Sequence, residues 1–348
     1  MPSKSTIQSR QTGPKKQKGK DAVKAAAPHG LVEVVVPSYA KLNLDLRILH
    51  KRPDGFHELR TIFQTISLCD RLTIEFKKSK QISIELDSTV EMEDNIILKA
   101  ARAVLEYMDV SARVRFSLEK NIPIGAGLGG GSSNAAAVLI ALPALAGRRL
   151  SGKVLQRLAS WLGSDVPFFL YGGTALGLGR GTELYPLPDL ESQCGVIAPG
   201  GVHISTAEAY AGLGRAALSA DDGTVTDSLT SNDGFPILGE FQAVAWALAS
   251  QPLSKIGLQN DFEAAVLAKH PTLVKMTQQL RRRGANPVRM SGSGSAFFGL
   301  TETMSQAKQI ARDVSGAIPI KFVTRREYRK QWADALGPAA ASSLLDQN

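Results

Sequence analysis

The sequence predicts an α+β protein of two domains. Its 348 residues at 43% hydrophobic content leave room for more than one core. Stretches of period-2 and helical apolar spacing are interspersed without the regular alternation of a parallel βαβ array. Nothing repeats at a fixed period, which excludes a solenoid.

The first 30 residues carry Lys4, Arg10, Lys15, Lys16, Lys18, Lys20 and Lys24 against Asp21 alone, so six of the nine net positive charges lie in this tail. The rest is nearly balanced. The tail has no hydrophobic periodicity and is expected to be disordered. No aromatic ring lies among its lysines to stack on a base, so no specific nucleic-acid partner is expected. It lacks the apolar core of a secretory signal, and its lysines fit a bacterial cytoplasmic protein better than an Arg-rich plastid transit peptide. No apolar run approaches the ~20 residues of a membrane helix. Cys69 and Cys194 lie far apart and form no metal or redox motif. His29, His50, His57, His203 and His270 show no zinc-ligand spacing.

Residues 32–48 read as a strand. Ala40, Leu42, Leu44, Leu46 and Ile48 alternate with Tyr39, Lys41, Asn43, Asp45 and Arg47, which puts Lys41 and Asn43 on one face. Pro53, Asp54 and Gly55 make a turn, with Phe56 and His57 just past it. Residues 71–76 and 81–86 read as an antiparallel pair. Residues 95–108 form a helix with Ile97, Ala101, Val104, Leu105 and Met108 on one face, and 113–118 alternate as a strand. Ser151 caps a helix with the stripe Val154, Leu155, Leu158 and Trp161. Gly163 ends it, and Asp165 precedes a short helical turn at Val166 and Pro167. Paired strands follow over 172–187, then a buried strand at 195–198. Beyond it come a helix over 206–218, a polar loop over 219–235, and helices near 236–249, 260–269 and 271–283. Strands at 288–290 and 296–300 flank the turn Ser291, Gly292, Ser293, Gly294 and Ser295. A helix over 303–314 and a strand over 318–323 complete the assignments, and from Pro338 the chain fades into Ala and Ser.

One stretch carries a chemistry of its own. It reads Pro123, Ile124, Gly125, Ala126, Gly127, Leu128, Gly129, Gly130, Gly131, Ser132 and Ser133, followed by small and apolar residues that form a helix over 135–142. Glycines let successive backbone N–H groups turn toward one point, and a helix start adds unpaired N–H groups and a dipole worth roughly 0.3–1 kcal/mol to an anion. The product is a phosphate cradle. No lysine follows the glycines, so it is not the common P-loop. Gly125, Gly127 and Gly130 fit the dinucleotide spacing, but the confirming acid is missing where Gly147, Arg148, Arg149 and Leu150 stand.

Three blocks then match one family in order: Ala40 to Leu44 with Asp54 to Leu59, Pro123 to Ala136, and Met290 to Ser295. Gly163 to Pro167 and Asn260 to Glu263 match between them. Over roughly residues 33–325 the chain resembles the GHMP kinases, small-molecule kinases with a non-Walker phosphate loop, and within them the branch acting on a cytidine diphosphate-linked methylerythritol. The triple glycine and the pairing of Lys41 and Asn43 with the Asp54–Glu58 stretch are that branch's form.

The resemblance implies a ribosomal-protein-S5-domain-2-like N-terminal, ATP-binding domain over 31–198 and an α/β-sandwich C-terminal domain over 199–335. The tail 1–30 and a flexible end 336–348 lie outside. It implies phosphorylation of the substrate's 2-hydroxyl by ATP with Mg2+, on the methylerythritol phosphate route to isopentenyl diphosphate, by a monomer or homodimer. No metal ligands are assigned. The 123–133 loop would hold ATP. Asp165 would be the general base, its alternative being a helix N-cap. Lys41 would keep that carboxylate ionised, its alternative being a solvated strand lysine. Asn43, Phe56, His57, Tyr210, Gly292, Ser293 and Gly294 would bind the substrate, with Phe56 and Tyr210 sandwiching cytosine. Two positions depart from the family: Phe56 stands where Tyr is usual, and Asp45 where an apolar residue is common. Two alternatives stay open at this level, a superfamily relative such as a mevalonate-type or homoserine kinase, and an inactive nucleotide-binding member.

Overall fold

The computed structural model describes residues 23–24, 30–90, 95–190, 193–213 and 237–337. Most of the basic tail, the second half of the helix expected over 206–218, the polar loop 219–235 and the end from Pro338 lie outside them. The chain begins with β1 (Val23–Lys24), β2 (Val32–Lys51), β3 (His57–Lys78), β4 (Ser83–Ser88), α1 (Ile96–Met108), β5 (Ala112–Glu119), α2 (Gly130–Leu145), β6 (Arg148–Arg149) and α3 (Gly152–Leu162). A 3-10 turn at Val166–Leu170 leads to β7 (Thr174–Gly179), β8 (Glu183–Pro186) and β9 (Cys194–Ala198). Then come α4 (Thr206–Ala211), α5 (Ile237–Ala247), α6 (Glu263–Lys269), α7 (Pro271–Arg282), β10 (Val288–Met290), β11 (Phe297–Thr301), α8 (Met304–Asp313), β12 (Ile318–Lys321) and α9 (Arg325–Leu336).

Two sheets organise these elements. The larger runs β4-β5-β3-β7-β8, with β2 also on β3; the smaller runs β10-β11-β9-β12. β2 and β3 form one long hairpin closed at the Pro53–Gly55 turn, where Arg52 N donates to Phe56 O at 2.7 Å. The sequence shows only residues 71–76 of β3, because its first half interleaves Thr61, Gln64 and Thr65 with apolar residues. All three are buried, and two are bonded within the fold: Thr61 Oγ1 donates to Asp45 O at 2.8 Å, and Gln64 Nε2 donates to Thr65 O at 2.8 Å and Val323 O at 3.2 Å.

The expected antiparallel pairing of 71–76 with 81–86 is incorrect. β5 lies between β3 and β4, and β4 pairs with β5 in parallel. Parallel neighbours need a crossover, and α1 supplies it, so β4-α1-β5 is a βαβ unit rather than a hairpin. Asn95 caps α1 by accepting from Ile97 N at 2.9 Å. α2 is buried on every side from Ser133 to Pro143, as expected of a central helix, and packs against α1, α3 and β2. Val154, Leu155 and Leu158 of α3 face this core, but Trp161, in the last turn, stays 39% exposed.

Two further corrections concern which core a segment joins. The strand at 195–198, assigned to the first domain, bonds to β11 and β12 of the second sheet. α9, unassigned from sequence, lies within the span given to the second domain yet buries Tyr328 and Trp332 in the first core. Tyr328 Oη donates to Phe169 O at 2.6 Å. Its start was legible as the capping box Thr324 to Glu327. Between the sheets a third cluster, including Ala40, Leu42, Leu44, Phe241, Leu258 and Phe298, welds the two halves into one apolar interface.

Candidate active site

The glycine loop is held from both sides. Lys41 N of β2 donates to Leu128 O at 3.0 Å, Ala296 N donates to Ala126 O at 3.2 Å, and Ser291 Oγ donates to Gly127 O at 3.1 Å. Ala126 and Leu128 point into the inter-sheet core while Gly125, Gly127 and Gly129 line a cavity. Those three glycines have φ of 67, 76 and 71°, the left-handed region. α2 starts at Gly130, five residues ahead of the expected 135, so Gly130, Gly131, Ser132 and Ser133 form its first turn. Ser132 lines the cavity, whereas Ser133 is buried and is not on its wall.

An unforeseen pair anchors the approach to this loop. Asp70 is fully buried and accepts from Asn121 N, Ile122 N and Lys120 Nζ, each at 2.8 Å. Burial pulls the Lys120 pKa down, against the hold of Asp70. No local pattern announces the pair, since 50 residues separate its members.

Lys41 Nζ lies 3.3 Å from Asp165 Oδ2, with the lysine side chain 3% and the aspartate 34% exposed. Lys41 is therefore no solvated strand residue. Its ammonium also donates to Asn43 Oδ1 and sits 5.7 Å from the Phe63 ring centroid. Asn43 Nδ2 donates in turn to Thr61 Oγ1 at 2.7 Å. Asp165 precedes the 3-10 turn but makes no capping bond with its side chain, so the carboxylate is free to face the cavity.

The cavity encloses about 930 Å3 and joins the glycine loop, Lys41, Asp165, Phe56, His57, Tyr210, Gly292 and Ser293 in one space. Three of its rings lie in contact with one another. His57, the first residue of β3, stacks on Tyr210 at 4.0 Å and 13°, and Tyr210 meets Phe262 edge-on at 4.9 Å. Phe56 belongs to the turn, stays 46% exposed, and lies under the Arg180 guanidinium at 4.2 Å. Burial, with the charges of Lys51 and His50, pushes the His57 pKa down. Burial raises the Tyr210 phenol to about 12, with the Asp165 charge adding to it.

Arg180 and His203 are cavity residues the sequence did not single out. His203 rests over Gly125, where a Cβ would meet its Nδ1 at 2.8 Å. Both come from segments without a motif, and only the folding of distant elements brings them to the wall. Among the described residues no group of three or more His, Cys, Asp or Glu side chains could hold a metal, and no helix is long and apolar enough to cross a membrane.

A loop of this kind opening a central helix, with a Lys–Asp pair at its mouth, defines a class. Residues 95–173 match the GHMP kinases N terminal domain and residues 241–319 the GHMP kinases C terminal domain. The chain is a kinase of that superfamily. It is 46% identical over 309 residues to the 4-diphosphocytidyl-2-C-methyl-D-erythritol kinase of Solibacter usitatus, covering 88% of this chain and 93% of the relative. A crystal structure of 4-(cytidine 5'-diphospho)-2C-methyl-D-erythritol kinase matches with a TM-score of 0.66 at 34% identity, over 83% of this chain and 98% of that one. The chain belongs to the 4-diphosphocytidyl-2-C-methyl-D-erythritol kinase family. A homoserine kinase from Cytophaga hutchinsonii, at 18% identity and a TM-score of 0.57 over 90% of this chain and 97% of that one, shares the fold alone.

Proposed function

We propose that this protein transfers the γ-phosphoryl group of ATP to the 2-hydroxyl of 4-diphosphocytidyl-2-C-methyl-D-erythritol. The observation that carries the reading is the Lys41–Asp165 pair at 3.3 Å, on the wall of the cavity that the glycine loop and the His57–Tyr210 stack share. Phosphoryl transfer demands positioning and charge stabilisation more than covalent work by the protein. The loop N–H groups and the start of α2 hold the phosphates. The acceptor oxygen bonds to the γ-phosphorus as the bond to the ADP oxygen breaks, and Asp165 takes the hydroxyl proton. Lys41, held by Asn43, orients that carboxylate and the hydroxyl. The Ser132 hydroxyl and the Asp165 carboxylate line the cavity and would be the oxygen donors that hold a magnesium ion, which would neutralise phosphate charge. The bacterial relatives support a cytoplasmic enzyme of small molecules.

The test is ATP consumption by the purified protein with the cytidyl substrate, mevalonate and homoserine in parallel. ADP release with the first alone is expected; release only with one of the others overturns the reading.

His57 supports cytosine recognition, and two results are expected of it. His57→Ala should raise KM for the cytidyl substrate about tenfold, within the roughly 1–3 kcal/mol of a lost base contact, and leave KM for ATP in place. Equal rises in both would remove His57 from that role. Its lowered pKa keeps the ring neutral above the ordinary value of about 6.5. KM for the cytidyl substrate should therefore be flat above that pH and rise only below it as the ring protonates; a KM that falls as the pH is lowered through that range would contradict a neutral-ring contact.

A further inference from the structure

We infer that Asp45 and Arg47 are positioning residues, which act through Gln259 and Asn260 to seat the Ser291–Gly294 turn against the glycine loop. The inference rests on the kinase reading above.

The register of β2 against β3 shifts between Asn43 and Asp45, a bulge that leaves Leu44 without a partner across the ladder. Just beyond it Asp45 and Arg47 form an ion pair, Arg47 Nε to Asp45 Oδ1 at 2.9 Å, with the two residues 0% and 4% exposed. The pair grips one residue of the second half twice. Gln259 N donates to Asp45 Oδ2 at 2.8 Å, and Arg47 Nη1 donates to Gln259 Oε1 at 2.7 Å. Backbone bonds extend the grip: Leu46 N to Gln259 O at 2.9 Å and Asp261 N to Leu46 O at 3.0 Å.

Asn260, caught between these bonds, sends its side chain the other way. Its Nδ2 donates to Met290 O and Gly292 O, both at 2.8 Å. The turn so held presents Ser291 Oγ to Gly127 O at 3.1 Å and to Asn43 N at 3.3 Å. One chain of bonds therefore runs from the ion pair to the phosphate loop and back to the neighbour of Lys41.

A buried ion pair is a poor stabiliser, because desolvating both charges offsets their attraction; an apolar pair of similar volume often holds a fold as well or better. What an apolar pair lacks is direction. Two bonds to the backbone and side chain of Gln259 set the orientation in which Asn260 follows. An error of about 1 Å passed to the loop or the acceptor site is enough to cost roughly 100-fold in rate.

The experiment measures thermal unfolding and steady-state kinetics with ATP and the cytidyl substrate on the full chain. The double variant Asp45→Leu/Arg47→Met is expected to unfold at or above the parent's temperature while kcat falls about tenfold or more, which a merely structural pair would not do. Parent kcat in a variant of parent stability overturns the inference. If the double variant loses stability, Gln259→Ala decides, since it removes the side-chain acceptor of Arg47 at an exposed residue. A several-fold loss of kcat at the parent's unfolding temperature then supports positioning, and parent kcat overturns it. A parent inactive on the cytidyl substrate would sink the kinase reading and this inference together; an active parent beside an equally active variant sinks the inference alone.

Discussion

Asp165→Asn is expected to lower kcat about 100-fold or more, the loss of a positioned general base. The amide cannot accept the hydroxyl proton, yet it matches the carboxylate in size. Its oxygen can still receive a bond from Lys41 Nζ, which Asn43 Oδ1 also holds, so the unfolding temperature should move little. The carboxylate makes no capping bond, so the 3-10 turn behind it does not depend on the charge. Steady-state kinetics beside a thermal melt separate the two effects. Turnover within a few-fold of the parent would end the base assignment and leave Asp165 an orienting group in a loose transition state.

Gly127→Ala is expected to damage both folding and turnover. A Cβ at that position would stand 2.1 Å from Ser291 O, a backbone atom with no flexible end to yield. The residue also sits at φ 76°, a left-handed conformation that costs an L-residue roughly 1–2 kcal/mol on its own. The clash is relieved only by parting the loop from the 291–294 turn, which breaks the Ser291 Oγ bond to Gly127 O. We expect the melting temperature to fall by at least about 2–4 °C and kcat by at least about tenfold. Gly30→Ala, with nothing within 4 Å of the added carbon, is the control. A Gly127→Ala protein with parent stability and parent turnover would show that the loop and turn need not lie so close.

The site is more polar than its sequence pattern suggests. Lys41, Asn43, Asp45 and Arg47 read as one polar face of a strand, the kind normally left to water. Each is at most 4% exposed, because the second half of the protein lies over that strand and supplies partners from Gln259 and Ser291. Asp45 is therefore satisfied by Arg47 beside it and by the Gln259 N–H, 214 positions away.

What the sequence by itself determined is what depends on near neighbours. The glycine loop, the turn at Pro53–Gly55, the apolar face of α1 and the alternation of β5 all follow from torsional freedom, local hydrogen bonds and side-chain period. The blocks around Lys41, the loop and Asp165 also sufficed to name a family. Tertiary structure alone decided which partners those elements meet. It set β4 parallel to β5, moved β9 into the second sheet, returned α9 to the first core, and laid His57 on Tyr210. It also joined Asp70 to Lys120 and Asp45 to Gln259. The reason is physical: a buried charge, a sheet neighbour or a ring face is satisfied by whatever packing brings near, and the spacing of residues along the chain does not encode that choice.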